Sequence, residues 1–228
     1  MDPFVRTRSI FRDRPLSQIG ANLLARARAN LSRRSFAGRG GPLAARIKAI
    51  LLAPRTEWPR IAQERSGIAG LYSRYIMPLA AIPPLCKLVG WSLLYSYVSF
   101  GITLVGALAA YALSLAGVAV LALVARRLAP RFEGEADIVQ AFKLIAYAAT
   151  PGWIGGVFRL VPGLAVLSVL MSLYSIYLIY TGAQAVMAVP EDRVVGYTAA
   201  LVFASILVLV ASAVIVTGLA GVKMIGMV

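Results

Sequence analysis

The side chains best spaced to act together lie in one apolar stretch, residues 140–163. Lys143, Tyr147 and Pro151 recur at four-residue steps, which brings them to one face of a helix. A cation and a phenol on one face could line a polar cavity for an ion or a solute. The Lys143 side chain could equally extend from a membrane boundary to water. The sequence leaves both interpretations open.

Enzyme chemistry has few residues to draw on in this chain. Its 228 residues include no histidine, so the commonest general base is missing. The nine carboxylates lie in the N-terminal region or in short loops, and the only cysteine, Cys86, has no second thiol for a disulfide or a zinc site. We therefore predict no catalytic residues, no metal, no cofactor and a protein that is not an enzyme.

The net charge of +14 comes mainly from the N-terminal region, where 14 of the 23 Lys and Arg residues fall within residues 1–65. Aromatic residues are not interleaved with these cations in the way that single-stranded nucleic acid requires. We predict no nucleic-acid partner. Beside a membrane, the same cations would attract anionic lipid headgroups, with about 1 kcal/mol for each Lys or Arg.

Apolar residues make up 60% of the chain, which is typical of a membrane protein. Five segments are apolar enough, and close enough to 20 residues, to cross a bilayer. The sequence thus predicts an all-α, polytopic transmembrane helix bundle. The predicted spans are residues 72–89, 98–124, 139–160, 164–187 and 196–219.

The first and third predicted spans are interrupted by proline, at Pro78, Pro83 and Pro84 and at Thr150-Pro151-Gly152. A proline removes one backbone hydrogen bond, and lipid cannot replace it. We expect a neighbouring helix, water or the Thr150 hydroxyl to satisfy the freed groups. Both spans therefore belong inside the bundle. The candidate functional or packing residues of the third span are Lys143, Tyr147, Thr150, Pro151, Trp153 and Arg159, the last at the far boundary.

The fourth predicted span carries Tyr174, Tyr177 and Tyr180 at three-residue intervals. A buried phenol needs a hydrogen-bond partner, so we predict that this stripe faces the bundle. It would there form part of the core or line a ligand cavity.

Three regions precede or make up the predicted membrane domain. Residues 1–40 are predicted to be a disordered, basic cytoplasmic tail, with an organelle transit peptide as the alternative. Residues 41–66 are predicted to be an amphipathic interfacial segment, and its helix over residues 43–52 either lies in the membrane interface or packs on the bundle. In this segment Trp58 is suited to anchoring at the headgroup level. Residues 67–228 form the five-span domain.

The distribution of basic residues predicts the orientation. With the tail in the cytoplasm, 20 of the 23 Lys and Arg residues lie inside, and only Lys87, Arg159 and Lys223 lie outside. Loops rich in Lys and Arg stay in the cytoplasm. We therefore predict a cytoplasmic N-terminus and a C-terminus on the opposite side.

Four segments in this order resemble the Ypt-interacting-protein (Yip) family of five-span membrane proteins, in its bacterial form. They are ILLAPRTEWPRIAQE at 50–64, LYSRYIMPLAAIP at 71–83, QAFKLIAYAATPGWIGG at 140–156 and LYSIYLIYTG at 173–182. The resemblance implies a helical bundle, a cytoplasmic N-terminal region and no enzyme chemistry. Eukaryotic members associate with Rab GTPases and with one another. Their acidic-aromatic motif with Tyr-Gly-Pro is absent here, which argues against a Rab-type GTPase as partner.

Two functions are compatible with these features. The first is a non-enzymatic membrane protein that organises membrane or partner membrane proteins, with another membrane protein or a second copy as partner. The second is a small transporter, channel or lipid-moving protein that uses the broken first and third spans. The expected location is the bacterial inner membrane, with an organelle membrane in a eukaryote as the alternative.

Overall fold

The computed structural model describes residues 42–94 and 100–225. The predicted basic tail, residues 1–40, lies outside the described residues. The chain divides into two units, Met1–Arg46 and Ile47–Val228. Its described residues are almost entirely helical. The predicted all-α bundle is therefore confirmed.

Three long helices form the most apolar part of the bundle: α6, α9 and α10. They extend over Phe100–Leu128, Ala165–Met187 and Val194–Ile225. Among the described residues, these are the helices long and apolar enough to cross a membrane, with spans at Phe100–Phe132, Val166–Met187 and Val194–Leu219. Helix α10 packs mainly on α6, while α9 packs on several shorter helices. These three match the predicted second, fourth and fifth spans.

The predicted first span is a series of short helical pieces. They are α3 (Ile68–Leu71), a π-helical turn (Tyr72–Ile76), α4 (Met77–Ala80) and α5 (Ile82–Leu94). Pro78 is the second residue of α4, directly after the π-helical turn. The series breaks at Ala81, just before Pro83 and Pro84.

The predicted third span is also divided. Helix α7 (Ile138–Ala148) begins at Asp137, whose side chain accepts hydrogen bonds from the backbone N–H groups of Val139 and Gln140. Helix α8 (Thr150–Gly155) starts at the break, and 3-10 turns follow at Gly156–Leu160 and Pro162–Leu164. The break predicted at Pro151 is thus present.

The two interrupted stretches pack closely on one another through glycine. A Cβ atom on Gly156 would lie 2.5 Å from Cγ of Pro83, and one on Gly90 would collide with the carbonyl oxygen of Leu160. Only a residue without a side chain permits this approach. The two stretches therefore form a joined pair.

Two connecting loops meet at one end of the long helices. Arg193 forms an ion pair of 3.2 Å with Glu133, and the N–H of Glu135 donates to the carbonyl of Met187. Nearby, the Phe132 ring packs edge-on against Tyr197, with 5.8 Å between ring centroids. The α6–α7 and α9–α10 connections consequently lie on the same side of the bundle.

The N-terminal segment forms two helices, α1 (Pro42–Leu52) and α2 (Pro54–Gln63). Helix α2 packs on α9, and Pro54, Glu57, Trp58 and Ile61 are buried. The interpretation of Trp58 as a headgroup anchor is wrong, because its side chain is fully buried.

Candidate functional site

The predicted residues of α7 and α8 meet the N-terminal segment at a buried aromatic junction, which consists of Trp58, Tyr75, Tyr147 and Thr150. Trp58 and Tyr147 pack edge to face, with centroids 6.3 Å apart and planes at 87°. The Tyr75 and Tyr147 rings lie closer, at 4.6 Å. Such aromatic pairs contribute about 0.5–1.5 kcal/mol beyond the area that they bury. The junction joins α2, the π-helical turn, α7 and α8.

A hydrogen bond closes the junction where the third stretch breaks. The Tyr75 and Thr150 hydroxyl oxygens lie 2.7 Å apart, and Thr150 is fully buried. The Thr150 hydroxyl also lies 3.5 Å from the carbonyl of Ala146, at the limit of a hydrogen bond. Pro151 is buried in the first turn of α8, where proline is readily accommodated. The Thr150 hydroxyl is thus bonded chiefly to a neighbouring side chain, and only weakly to a backbone carbonyl.

Lys143 caps the C-terminal end of α2. Its ammonium group lies 2.9 Å from the carbonyl oxygen of Ile61 and 2.7 Å from that of Glu64. The Gln140 side-chain amide donates to the carbonyl of Ala62 at 3.0 Å. A helix end leaves carbonyls without partners and carries partial negative charge, so a cation is favourable there. Lys143 and Gln140 together form what we call the α2 cap.

The predicted extension of Lys143 to water is wrong, because only 2% of the residue is exposed. A buried ammonium group is costly unless hydrogen bonds and opposite charge compensate it. The α2 carbonyls supply that compensation. Since these bonds occupy the ammonium group, they also argue against its use as a solute ligand.

Glycine on α9 makes room for the Trp58 ring. A Cβ atom on Gly182 would lie 2.7 Å from two atoms of that ring and 2.7 Å from Cδ1 of Leu144. The Trp58 indole N–H donates to the Thr181 hydroxyl at 3.1 Å. The position of α2 is therefore fixed from α9 as well as from α7.

The remaining predicted residues lie apart from the aromatic junction. Trp153 is buried on α8, while Arg159 is exposed and its Nε lies 3.4 Å from the hydroxyl of Ser168. Tyr174 donates to the carbonyl of Leu51 at the end of α1, at 2.9 Å. Tyr174 and Tyr177 stack on one another, with 5.5 Å between their centroids. Tyr177 is 37% exposed, so the prediction that the whole stripe faces the bundle is wrong.

Tyr180 lines a cavity of about 480 Å³ between α2, α9 and the α9–α10 loop. The other lining residues are Arg55, Trp58, Thr181, Gln184, Ala185 and Glu191. The sequence associated a ligand cavity with the tyrosine stripe but did not identify these partners.

Trp58, Tyr75, Gln140 and Gly182 are residues of the site that the sequence interpretation missed. Two signals were available. Gln140 lies three residues before Lys143, on the same helix face. Gly182 lies two residues after the last tyrosine of the stripe, where it could admit a bulky neighbour. Neither signal identifies a partner about 80 or more residues away along the chain.

Buried aromatic packing, a capped helix and three apolar helices define a polytopic membrane protein. Within the described ranges, no three His, Cys, Asp or Glu residues group together in a way that could hold a metal ion. The family model for the Yip1 domain matches residues 48–213, more than half of the chain. The chain belongs to the Yip1 domain family, which confirms the resemblance. No curated protein and no solved structure gave a significant match.

Proposed function

We propose that this Yip1-domain protein is a non-enzymatic membrane protein that organises partner membrane proteins or the membrane itself. The observation that carries this proposal is the exposed surface of α10. Only 6% of the most apolar part of its span is buried, against 33% for α9. Exposed apolar side chains such as Phe203, Val210 and Val214 cover it. In a bilayer, this surface is available to lipid or to the helix of a partner.

The docked N-terminal segment supports the same proposal. The α2 cap and Trp58 hold α2, which carries Arg55 and Arg60, against the rest of the bundle. Charges held close to a membrane bind anionic headgroups more effectively than charges on a distant tail. The protein thereby combines lipid-attracting cations on α2 with a helix surface for partners.

The proposed topology has five spans, a cytoplasmic N-terminus and a C-terminus on the other side, with the bacterial inner membrane as location. The contact between the α6–α7 and α9–α10 loops supports it, because both loops would be cytoplasmic. The basic residues of these loops support the same side. Reporters active on only one side, fused to each end in turn, should give opposite signals. Equal signals would refute an odd number of spans.

Site-specific photo-crosslinking tests the partner surface. A photoreactive amino acid at Phe203 or Val210, in the full chain in its own membrane, should give protein adducts. The same amino acid at Leu201, which is fully buried on α10, is the matched control and should give none. Two differently tagged copies distinguish a second copy of the chain from another protein. Adducts with lipid alone would contradict partner organisation.

Transport is the second candidate, since interrupted helices can line a substrate site. Here, however, the break at Thr150 is fully buried and bonded to Tyr75. These contacts support a packing role for the break. Purified protein in liposomes should move no ion, solute or lipid above the level of protein-free vesicles. Flux that depends on Lys143 or Thr150 would favour transport.

A further inference from the structure

We propose that the cavity between α2, α9 and the α9–α10 loop binds the head group of an amine-bearing phospholipid, phosphatidylethanolamine. This inference is independent of the partner-organising role. The cavity measures about 480 Å³, which is large enough for a phosphoethanolamine group. It is called the Arg55 cavity below.

The Arg55 cavity combines opposite charges with neutral hydrogen-bonding groups. Arg55 lines it from α2 and Glu191 from the α9–α10 loop, with Tyr180 and Gln184 between them on α9. Within the described part of the chain, these four side chains form no hydrogen bond or ion pair with the protein. They are therefore free to bind a ligand.

The remaining polar groups of the Arg55 cavity are already engaged. Trp58 donates its indole N–H to Thr181, and the Thr181 hydroxyl donates in turn to the carbonyl of Tyr177 at 3.0 Å. The Trp58 side chain is fully buried, so the face of its own ring is closed to a quaternary ammonium ion. The choice between lipid head groups therefore depends on the charged and amide side chains, which are Arg55, Glu191 and Gln184.

These free groups match a zwitterion that carries a phosphate and a primary ammonium group. A guanidinium binds phosphate oxygens with strong, charge-assisted hydrogen bonds. The Glu191 carboxylate accepts hydrogen bonds from an ammonium group, which a trimethylated amine cannot donate. A phosphoglycerol head group lacks the cation altogether. The side chains of the cavity thus favour a head group with a primary amine over one with a trimethylated amine and over phosphoglycerol.

An exposed apolar stripe on α9 continues from the Arg55 cavity and favours a lipid over a soluble compound. Tyr177, Leu173, Leu170 and Val166 follow Tyr180 at three- and four-residue steps, and all four are exposed. Residues 166–177 extend over about 17 Å at 1.5 Å per residue. One leaflet of hydrocarbon is about 15 Å thick, so an acyl chain fits along this stripe.

Native mass spectrometry of the full chain in detergent tests the proposal. The probes are phosphatidylethanolamine, phosphatidylglycerol and phosphatidylcholine with identical acyl chains, added in equal amounts. We expect about threefold more bound phosphatidylethanolamine than either other lipid, the factor that one partly exposed charge pair supplies. Equal binding of the three lipids would overturn the proposal whatever the variants show.

Two substitutions test the role proposed for each charged side chain of the cavity. Glu191→Gln should remove the preference for phosphatidylethanolamine, and Arg55→Gln should lower binding of all three lipids. The controls are Asp192→Asn in the same loop and Arg131→Gln on the α6–α7 side, neither of which lines the cavity. Both should bind like the unmodified chain. A Glu191→Gln variant that keeps the preference would refute the assignment.

Soluble phosphoethanolamine distinguishes the source of the head group. Added at the concentration of the lipid, it should leave bound phosphatidylethanolamine unchanged, because it lacks the acyl chains that the α9 stripe holds. Displacement of the lipid at that concentration would show that the head group alone is recognised and would overturn the lipid assignment.

Discussion

The hydroxyl oxygens of Tyr75 and Thr150 lie 2.7 Å apart, and their hydrogen bond joins the two stretches that proline interrupts. Tyr75 belongs to the π-helical turn, and Thr150 begins α8. Both residues are buried. Each break alone would leave a loosely ordered backbone in an apolar environment. The hydrogen bond fixes the two interrupted stretches relative to each other, and we call this contact the Tyr75–Thr150 joint.

A double-mutant cycle should detect this joint. We expect Tyr75→Phe and Thr150→Val each to lower the free energy of unfolding by about 0.5–1.5 kcal/mol, the net value of a hydrogen bond. The double variant should lose clearly less than the sum, because both changes remove the same bond. Equilibrium unfolding in mixed detergent micelles measures the free energy of unfolding of each variant. As the control, Tyr75→Phe combined with the exposed α10 change Thr217→Val should be additive. Additivity in the first pair would disprove the joint.

Replacement of Lys143 by Met should release α2 from the bundle. The side chain keeps most of its length, but the carbonyls of Ile61 and Glu64 lose their donor. Buried acceptors without partners cost about 1–3 kcal/mol. We expect faster proteolysis between α2 and α3 and a red shift of tryptophan fluorescence as Trp58 becomes exposed. Lys48→Met on α1, at an exposed position, is the control and should change neither property. If both variants resist proteolysis equally, the α2 cap does not hold the helix.

Much of the bundle could be predicted because the signals are local. The long apolar helices α6, α9 and α10 follow from uninterrupted runs without charge. The divided stretch at Thr150 follows from proline, whose effect on a helix depends only on the backbone. The number of membrane crossings is less accessible, since α7 and α8 are each too short to span alone.

The site was predicted only in part, because its contacts join residues far apart in the chain. A helical repeat places Lys143 and Tyr147 on one face but does not say what covers that face. Lysine near the end of a predicted span suggests contact with water, yet the end of α2 provides carbonyls in its place. The burial of Trp58 depends likewise on the small size of Gly182, 124 residues later.

Gly182→Ala tests that dependence. The new methyl group would lie 2.7 Å from the Trp58 ring and from Leu144, so either the ring or α9 has to move. Overpacking of this kind costs about 1–3 kcal/mol. A lower midpoint of thermal unfolding in detergent is expected. Gly218→Ala on α10 is the matched control, because nothing lies within 4 Å of the added atom. Equal midpoints for the two variants would show that α2 docks without this space.

Pro151→Ala tests whether the break in the third stretch is structural. Alanine restores an N–H group that favours a continuous helix, and a straight helix would disturb the tight contact of Gly155 with Met171 and of Gly156 with Pro83. Alanine also gives the unfolded chain more freedom, which by itself costs about 0.4–1 kcal/mol.

Pro130→Ala isolates the second effect, since Pro130 is exposed and is the second residue of the 3-10 turn Ala129–Phe132 in the α6–α7 loop. We expect Pro151→Ala to lower the free energy of unfolding by more than Pro130→Ala does, and the difference measures the contacts of the break. Protein adducts from Phe203 should persist in both variants, because α10 packs mainly on α6. If Pro151→Ala is as stable as Pro130→Ala but loses those adducts, the break serves partner binding and the structural assignment fails.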